Sequence, residues 1–83
     1  MPYVDASVQN MLDVSMDPQR AGELNYCITK LCVDFLGSTP RYSNFNEVIG
    51  ALECAKLEMY RRMIAPYEDI ACAKNGDVYN RDV

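Results

Sequence analysis

The chain has 83 residues, 49% of them apolar, with no histidine, no tryptophan and a formal net charge of −4. That length makes one domain, residues 1–83, which buries only about 60–65% of its unfolded surface and is expected to complete its core by oligomerising. The acidic balance argues against duplex nucleic acid as the main partner, since phosphate neutralisation needs a basic face; it leaves room for a small anionic ligand in a local basic pocket.

Residues 1–4 read as a short extended arm. Asp5 is placed to cap a first helix running to about Met16, with Val8, Met11, Leu12 and Ser15 on one face. Asp17-Pro18 then reads as a cap followed by proline at the first helical position. The spacing predicts a second helix from Pro18 or Gly22 to Leu36. Leu24, Ile28, Leu31 and Phe35, at steps of four, three and four, form a stripe that should face a core, widened by Cys27, Cys32 and Leu36. Gly37 closes that helix and Ser38-Thr39-Pro40 makes a short loop, the connection of antiparallel neighbours.

The longest helical pattern runs from Asn44 to Gly76. Asn44 with Glu47 three places on reads as a capping-box variant, and Asn75-Gly76 with Lys74 in the last turn reads as a stop. Phe45, Val48, Leu52, Ala55, Met59 and Met63 make its apolar stripe. An unbroken helix of this length would span roughly 45 Å, so a kink or a break at Pro66 is expected, where the proline gives no hydrogen bond to the Arg62 carbonyl. Residues 77–83 form a C-terminal tail in which Val78 and Tyr79 are free to dock on the bundle or on a second subunit. No strand-like alternation is present. The fold class is therefore all-α, a small three- to four-helix bundle.

The four cysteines, Cys27, Cys32, Cys54 and Cys72, form no C-x-x-C pair, and no histidine completes a mixed zinc site. They are expected to be buried or half-buried free thiols in a reducing cytoplasm, with a four-cysteine zinc site as the alternative. No metal and no cofactor is assigned. The N-terminal sequence lacks a basic segment followed by an apolar run, so no signal peptide is expected, and no stretch approaches the roughly 20 apolar residues that span a membrane.

No catalytic constellation stands out, because the commonest general base is missing and only Cys54, near Lys56, invites a nucleophile reading. Polarity within the apolar arc of the long helix is more informative. Glu53 and Lys56 fall three apart beside Ile49, Leu57, Tyr60 and Ile64. The plainer reading is an ion pair at the edge of a core; the sharper one is a pocket lined by Glu53, Lys56 and Tyr60. Arg61 and Arg62 follow Glu58 at three and four residues, so surface pairing is their plainer role. Across an antiparallel dimer, however, Arg41 of one chain, beside Tyr42, would approach Arg61 of the other. Such a subunit-interface pocket, with Arg41, Lys56, Arg61, Arg62, Tyr60 and Tyr67 gripping, suits phosphate and stacked bases. Gly50, Ala51 and Cys54 form a small-residue patch, read either as tight packing within the monomer or as a homodimer seam. The pairs Asn25-Tyr26 and Asp77-Tyr79 fit tyrosines sealing a core rim.

The segments AGELNY, NEVIGALECAKLEMYRR, APYED and NGDVY, in that order between Ala21 and Tyr79, resemble a small domain-of-unknown-function family of tailed bacteriophages and prophages. The first twenty residues lie outside the resemblance, and Ile70-Ala71-Cys72 is less charged than that family's usual stretch. The resemblance implies a phage- or prophage-encoded protein of the host bacterial cytoplasm and carries over no catalytic residue. By analogy with small phage accessory proteins, the expected function is non-enzymatic: a helical oligomer, dimer or higher, that binds a nucleotide-like immune signal or a host factor to counter host defence. A phage structural or assembly component is the alternative, and a small enzyme or enzyme subunit the second alternative.

Overall fold

The structure is a computed structural model that describes residues 4–80; of the expected arm only Val4, and of the expected tail only residues 77–80, lie within that range. Every regular element among the described residues is helical. The elements are α1 (Ala6–Ser15), α2 (Ala21–Leu36), and a long helical run made of α3 (Tyr42–Met59), a π-helical turn (Tyr60–Ile64) and α4 (Ala65–Asn75), followed by a 3-10 turn at Val78–Asn80. The chain divides into two compact units, Met1–Val48 and Ile49–Val83.

In the first unit α1 packs on α2. Asp5 caps α1 as its chemistry requires: one carboxylate oxygen accepts from the Ser7 and Val8 backbone N–H groups at 3.0 and 3.2 Å and from the Ser7 hydroxyl at 2.7 Å. Met16 ends the helix in the left-handed region, φ 52°, with its N–H on the Leu12 carbonyl. These bonds, that from the Ser7 hydroxyl foremost, hold the Asp5 carboxyl below its ordinary pKa. A carboxyl lowered on folding stabilises above its unfolded pKa, about 3.9, and loses that contribution as pH falls through the folded value. The expected result is fraying of α1 in acid below about pH 3.9, seen as loss of hydrogen-exchange protection at Gln9 and later amides; Asp5→Ala should show comparable fraying already at neutral pH.

Of the two expected starts of α2, the structure lies within one residue of Gly22, at Ala21. Pro18 lies outside the helix, and Arg20 occupies the cap position without a side-chain bond. Glu23 accepts the Gln19 backbone N–H at 2.9 Å, one residue before the N-cap Arg20 whose N–H a capping box would take. Glu23 is thereby nearly buried, and with Leu12 and Cys27 it makes up the buried set among the described residues of the unit. The Tyr26 hydroxyl donates to Asp13 at 2.7 Å and ties the two helices at the rim. That geometry corrects the expected core face of α2. The face that meets α1 carries Glu23 and Cys27, whereas Leu24, Ile28, Leu31 and Phe35 are all exposed. Adjacent helix positions differ by about 100°, so with Glu23 buried Leu24 is turned away from that face.

The long helix begins earlier than its Asn-x-x-Glu signal indicated. Its first turn hangs on Arg41, whose carbonyl accepts from the Asn44 and Phe45 N–H groups. Asn44 lies inside that turn and reaches back, accepting the Arg41 N–H at 2.9 Å while its amide donates to Glu47. Asn44 thus performs the role usually given to the third helical residue of a capping box. At the other end Gly76 adopts φ 93° and donates its N–H to the Cys72 carbonyl, as the stop signal predicted.

Pro66 does not break the run; residues 42–75 stay helical. The accommodation is the π turn immediately upstream, where Ala65 donates to the Tyr60 carbonyl five residues back. Proline has no N–H for the residue four back and crowds its carbonyl, and a locally widened ladder relieves that crowding. None of α3, the π turn or α4 contains a buried residue. Val48 is half-buried, while Phe45, Leu52, Ala55, Met59 and Met63 of the expected stripe are exposed. The cysteines divide the same way: Cys27 is buried and Cys32 half-buried, but Cys54 and Cys72 are exposed, against the expectation of cover for all four. No described helix is long and apolar enough to cross a membrane.

Candidate functional site

Of the cationic residues singled out in the sequence, Lys56, Arg61 and Arg62 are placed on the surface of the long helix, each beside a carboxylate of its own helix. Lys56 Nζ lies 3.5 Å from Glu53, both side chains largely exposed. Arg61 and Arg62 converge on one oxygen of Glu58, at 2.9 and 3.3 Å. Exposed pairs of this kind contribute about 0.2–1 kcal/mol at most. Arg41 contributes its backbone N–H to the first turn, and Tyr42 and Tyr67 stand exposed. Gly50, Ala51 and Cys54 are exposed together, and no atom lies within 4 Å of where a Gly50 side chain would begin.

That open space gives a direct prediction. Gly50 sits in a helix interior with an ordinary φ, so Gly50→Ala should stabilise by about 1 kcal/mol and raise the melting temperature by about 4–8 °C. A thermal melt checks it. A fall instead would put a close-packed neighbour against the patch, as a seam there demands.

A different constellation gathers at the C-terminal end of the second unit. A cleft of about 460 Å³ is bordered by Tyr60, Glu68, Asp69, Cys72, Asp77 and Tyr79. The Tyr60 hydroxyl donates to Glu68 at 2.5 Å. Holding that proton against a carboxylate raises the tyrosine above its ordinary pKa, with the nearby charges of Glu68 and Asp69 acting the same way. Asp77 accepts the Tyr79 N–H at 2.9 Å, shaping the turn that closes the cleft.

The Tyr60–Glu68 contact depends on the π turn. Eight residues of α-helix overshoot two full turns by about 80°; a π turn takes one extra residue and absorbs about that rotation, bringing the two side chains onto one face. α-helical periodicity therefore could not pair them. Of the candidate ligand residues read from the sequence, Tyr60 borders this cleft; Glu53, Lys56, Arg61 and Arg62 do not. Three carboxylates beside two phenols give the cleft a field that suits positive charge and disfavours phosphate. Among the described residues no group of three or more histidine, cysteine or acidic side chains is arranged to hold a metal ion.

Comparison with known proteins gives one family. Residues 1–78 match the family model described as "Domain of unknown function (DUF6899)". No curated protein and no solved structure matches the chain. With nearly its whole length covered by the model, the chain belongs to the DUF6899 family.

Proposed function

We propose that the chain is a non-enzymatic accessory protein, phage- or prophage-encoded, that works in the host bacterial cytoplasm as a small helical oligomer and counters host defence by binding a host factor. The observation that carries this reading is the uncovered ridge of α2. Leu24, Ile28, Leu31 and Phe35 stand exposed in a hairpin whose buried apolar side chains, among the described residues, are Leu12 and Cys27 alone. Four large apolar side chains on one helix face form the kind of surface that marks a protein-interaction site. A three- to four-helix bundle, within one chain or between copies, is the architecture that would cover it.

The host-factor version is preferred over the nucleotide-like signal on electrostatic grounds. Lys56, Arg61 and Arg62 already have carboxylates beside them, and a phosphate would have to displace Glu53 or Glu58. The phage assignment rests on the resemblance of the four sequence segments noted above.

Expressing the protein in bacteria that carry a defence system should raise the plating efficiency of a phage that system restricts. Phe35→Glu, which leaves Leu12 and Cys27 in place, should abolish the rise. Calorimetry with cyclic dinucleotides and cyclic ADP-ribose isomers separates the two ligand classes: heat of binding would move the reading to the immune signal. No rise in plating across defence-bearing strains, with the protein found instead in purified virions by mass spectrometry, would replace it with an assembly role.

A further inference from the structure

The π turn sets the phase of α4 in the second unit, and no core fixes that phase. No residue of the π turn or of α4 is buried, so local groups decide between this register and a plain α-helix. The ion pairs beside the turn are neutral in that choice. Arg61 and Arg62 follow Glu58 at three and four residues, a spacing that an α-helix also brings together. Two other features do distinguish the registers. Pro66 disfavours the α register, because there its ring would crowd the Arg62 carbonyl. The Tyr60 hydroxyl, donating to Glu68 at 2.5 Å, favours the π register.

Angular positions show how much follows from the choice. In an uninterrupted α-helix Glu68, Cys72 and Asp69 would lie about 80°, 120° and 180° around the axis from Tyr60. The extra residue of the π turn removes about 100°, which leaves Glu68 and Cys72 within about 20° of Tyr60 and Asp69 at about 80°. All four residues border the cleft. Tyr60 opens the π turn and the other three follow it, so this cleft belongs to one register.

We propose that the π turn is a two-register element, in which Pro66 brings the registers close in free energy and the Tyr60–Glu68 bond selects the one that builds the cleft. A run without proline takes the α register, since π turns are rare. Pro66 offsets much of that preference, and one hydrogen bond then tips the balance. Release of the bond lets Ala65 donate to the Arg61 carbonyl, four residues back, in place of its present acceptor, Tyr60. α4 then turns by about 100° about its axis. A group that draws the Glu68 carboxylate away from Tyr60 therefore acts on the phase of α4. The proposal goes beyond the functional reading above and does not rest on it.

NMR of the whole chain tests it, because scalar couplings across hydrogen bonds identify the carbonyl that accepts the Ala65 N–H. The natural chain should show Tyr60 as that acceptor. Pro66→Ala should move the coupling to Arg61, a shift of the equilibrium by about a hundredfold or more. The Tyr60 phenol, raised by its bond to Glu68 in the natural chain, should then titrate at lower pH. Tyr60→Phe keeps the ring and the proline. It should raise the α-register population by about tenfold, read by 15N relaxation dispersion at residues 61–65. Glu68→Gln, whose amide oxygen still accepts, should give a smaller rise. Circular dichroism should keep the natural helix content in all three variants, since both registers are helical. An Ala65 coupling that stays on Tyr60 in Pro66→Ala overturns the proposal. So does a minor population unchanged by Tyr60→Phe, or unwinding of the helix in place of a change of register.

Discussion

Leu12→Ala is expected to destabilise the α1–α2 hairpin by about 2–5 kcal/mol, the range for truncating a fully buried leucine. Among the described residues Leu12 is the one large side chain with no exposure at all. A chain of this size has roughly 4–12 kcal/mol of total stability, so the change removes a large fraction of it. The effect is concentrated because the hairpin has so little else inside: Cys27 is small, and the third buried side chain, Glu23, is occupied with the Gln19 N–H. Urea unfolding followed by circular dichroism measures the loss. Val14→Ala is the control, because Val14 lies on the same helix but is 88% exposed and should change stability by no more than about 0.5 kcal/mol. Equal losses in the two variants would mean that α1 does not lay its Leu12 face on α2. A dimer that buries additional surface would add a concentration-dependent term to both curves and leave their difference unchanged.

What the sequence made legible is local, and the reason is physical. Asp5, Gly37 and Gly76 end helices because the orphan N–H and carbonyl groups at those ends need a nearby acceptor, or a backbone that turns left. Both requirements are met within a few residues, so a short window suffices to find them. The Asn44 signal failed in register for a related reason. An amide side chain can cap from the front or reach back from inside the first turn, and the four-residue word is the same in both cases. The buried face of α2 was not legible. Periodicity identifies Leu24, Ile28, Leu31 and Phe35 as sharing a face, but the strength of that stripe does not say whether α1 covers it. The covered face instead carries Glu23, bonded to the Gln19 N–H, and Cys27. The cleft residues Glu68 and Asp69 were invisible for a third reason: the π turn shifts the phase of the helix by one residue, so pairs beyond Tyr60 do not follow the step of three or four.

Gly37→Ala should destabilise by about 1–3 kcal/mol, the strain of holding an L-residue in a region of backbone space that only glycine populates freely. Gly37 has φ 72° and ψ −163°, and its N–H closes α2 on the Val33 carbonyl at 3.2 Å. Sterics with neighbours are not the cause, because nothing lies within 4 Å of the added carbon. The same glycine-to-alanine change at Gly50, equally unobstructed but with helical backbone, is expected to act in the opposite direction. Chirality isolates the mechanism further. With this backbone a D-alanine experiences what an L-alanine experiences when both angles change sign, an extended conformation that L-residues adopt without strain. A chain assembled by ligation with D-Ala at position 37 should therefore be more stable than the natural one by about 0.4–1 kcal/mol, through loss of freedom in its unfolded state. Urea midpoints in the order L-Ala, Gly, D-Ala are the expected result. If L-Ala matched glycine, the backbone at residue 37 would have to leave the positive-φ region at no free-energy cost, and the closure of α2 on Val33 would not depend on it.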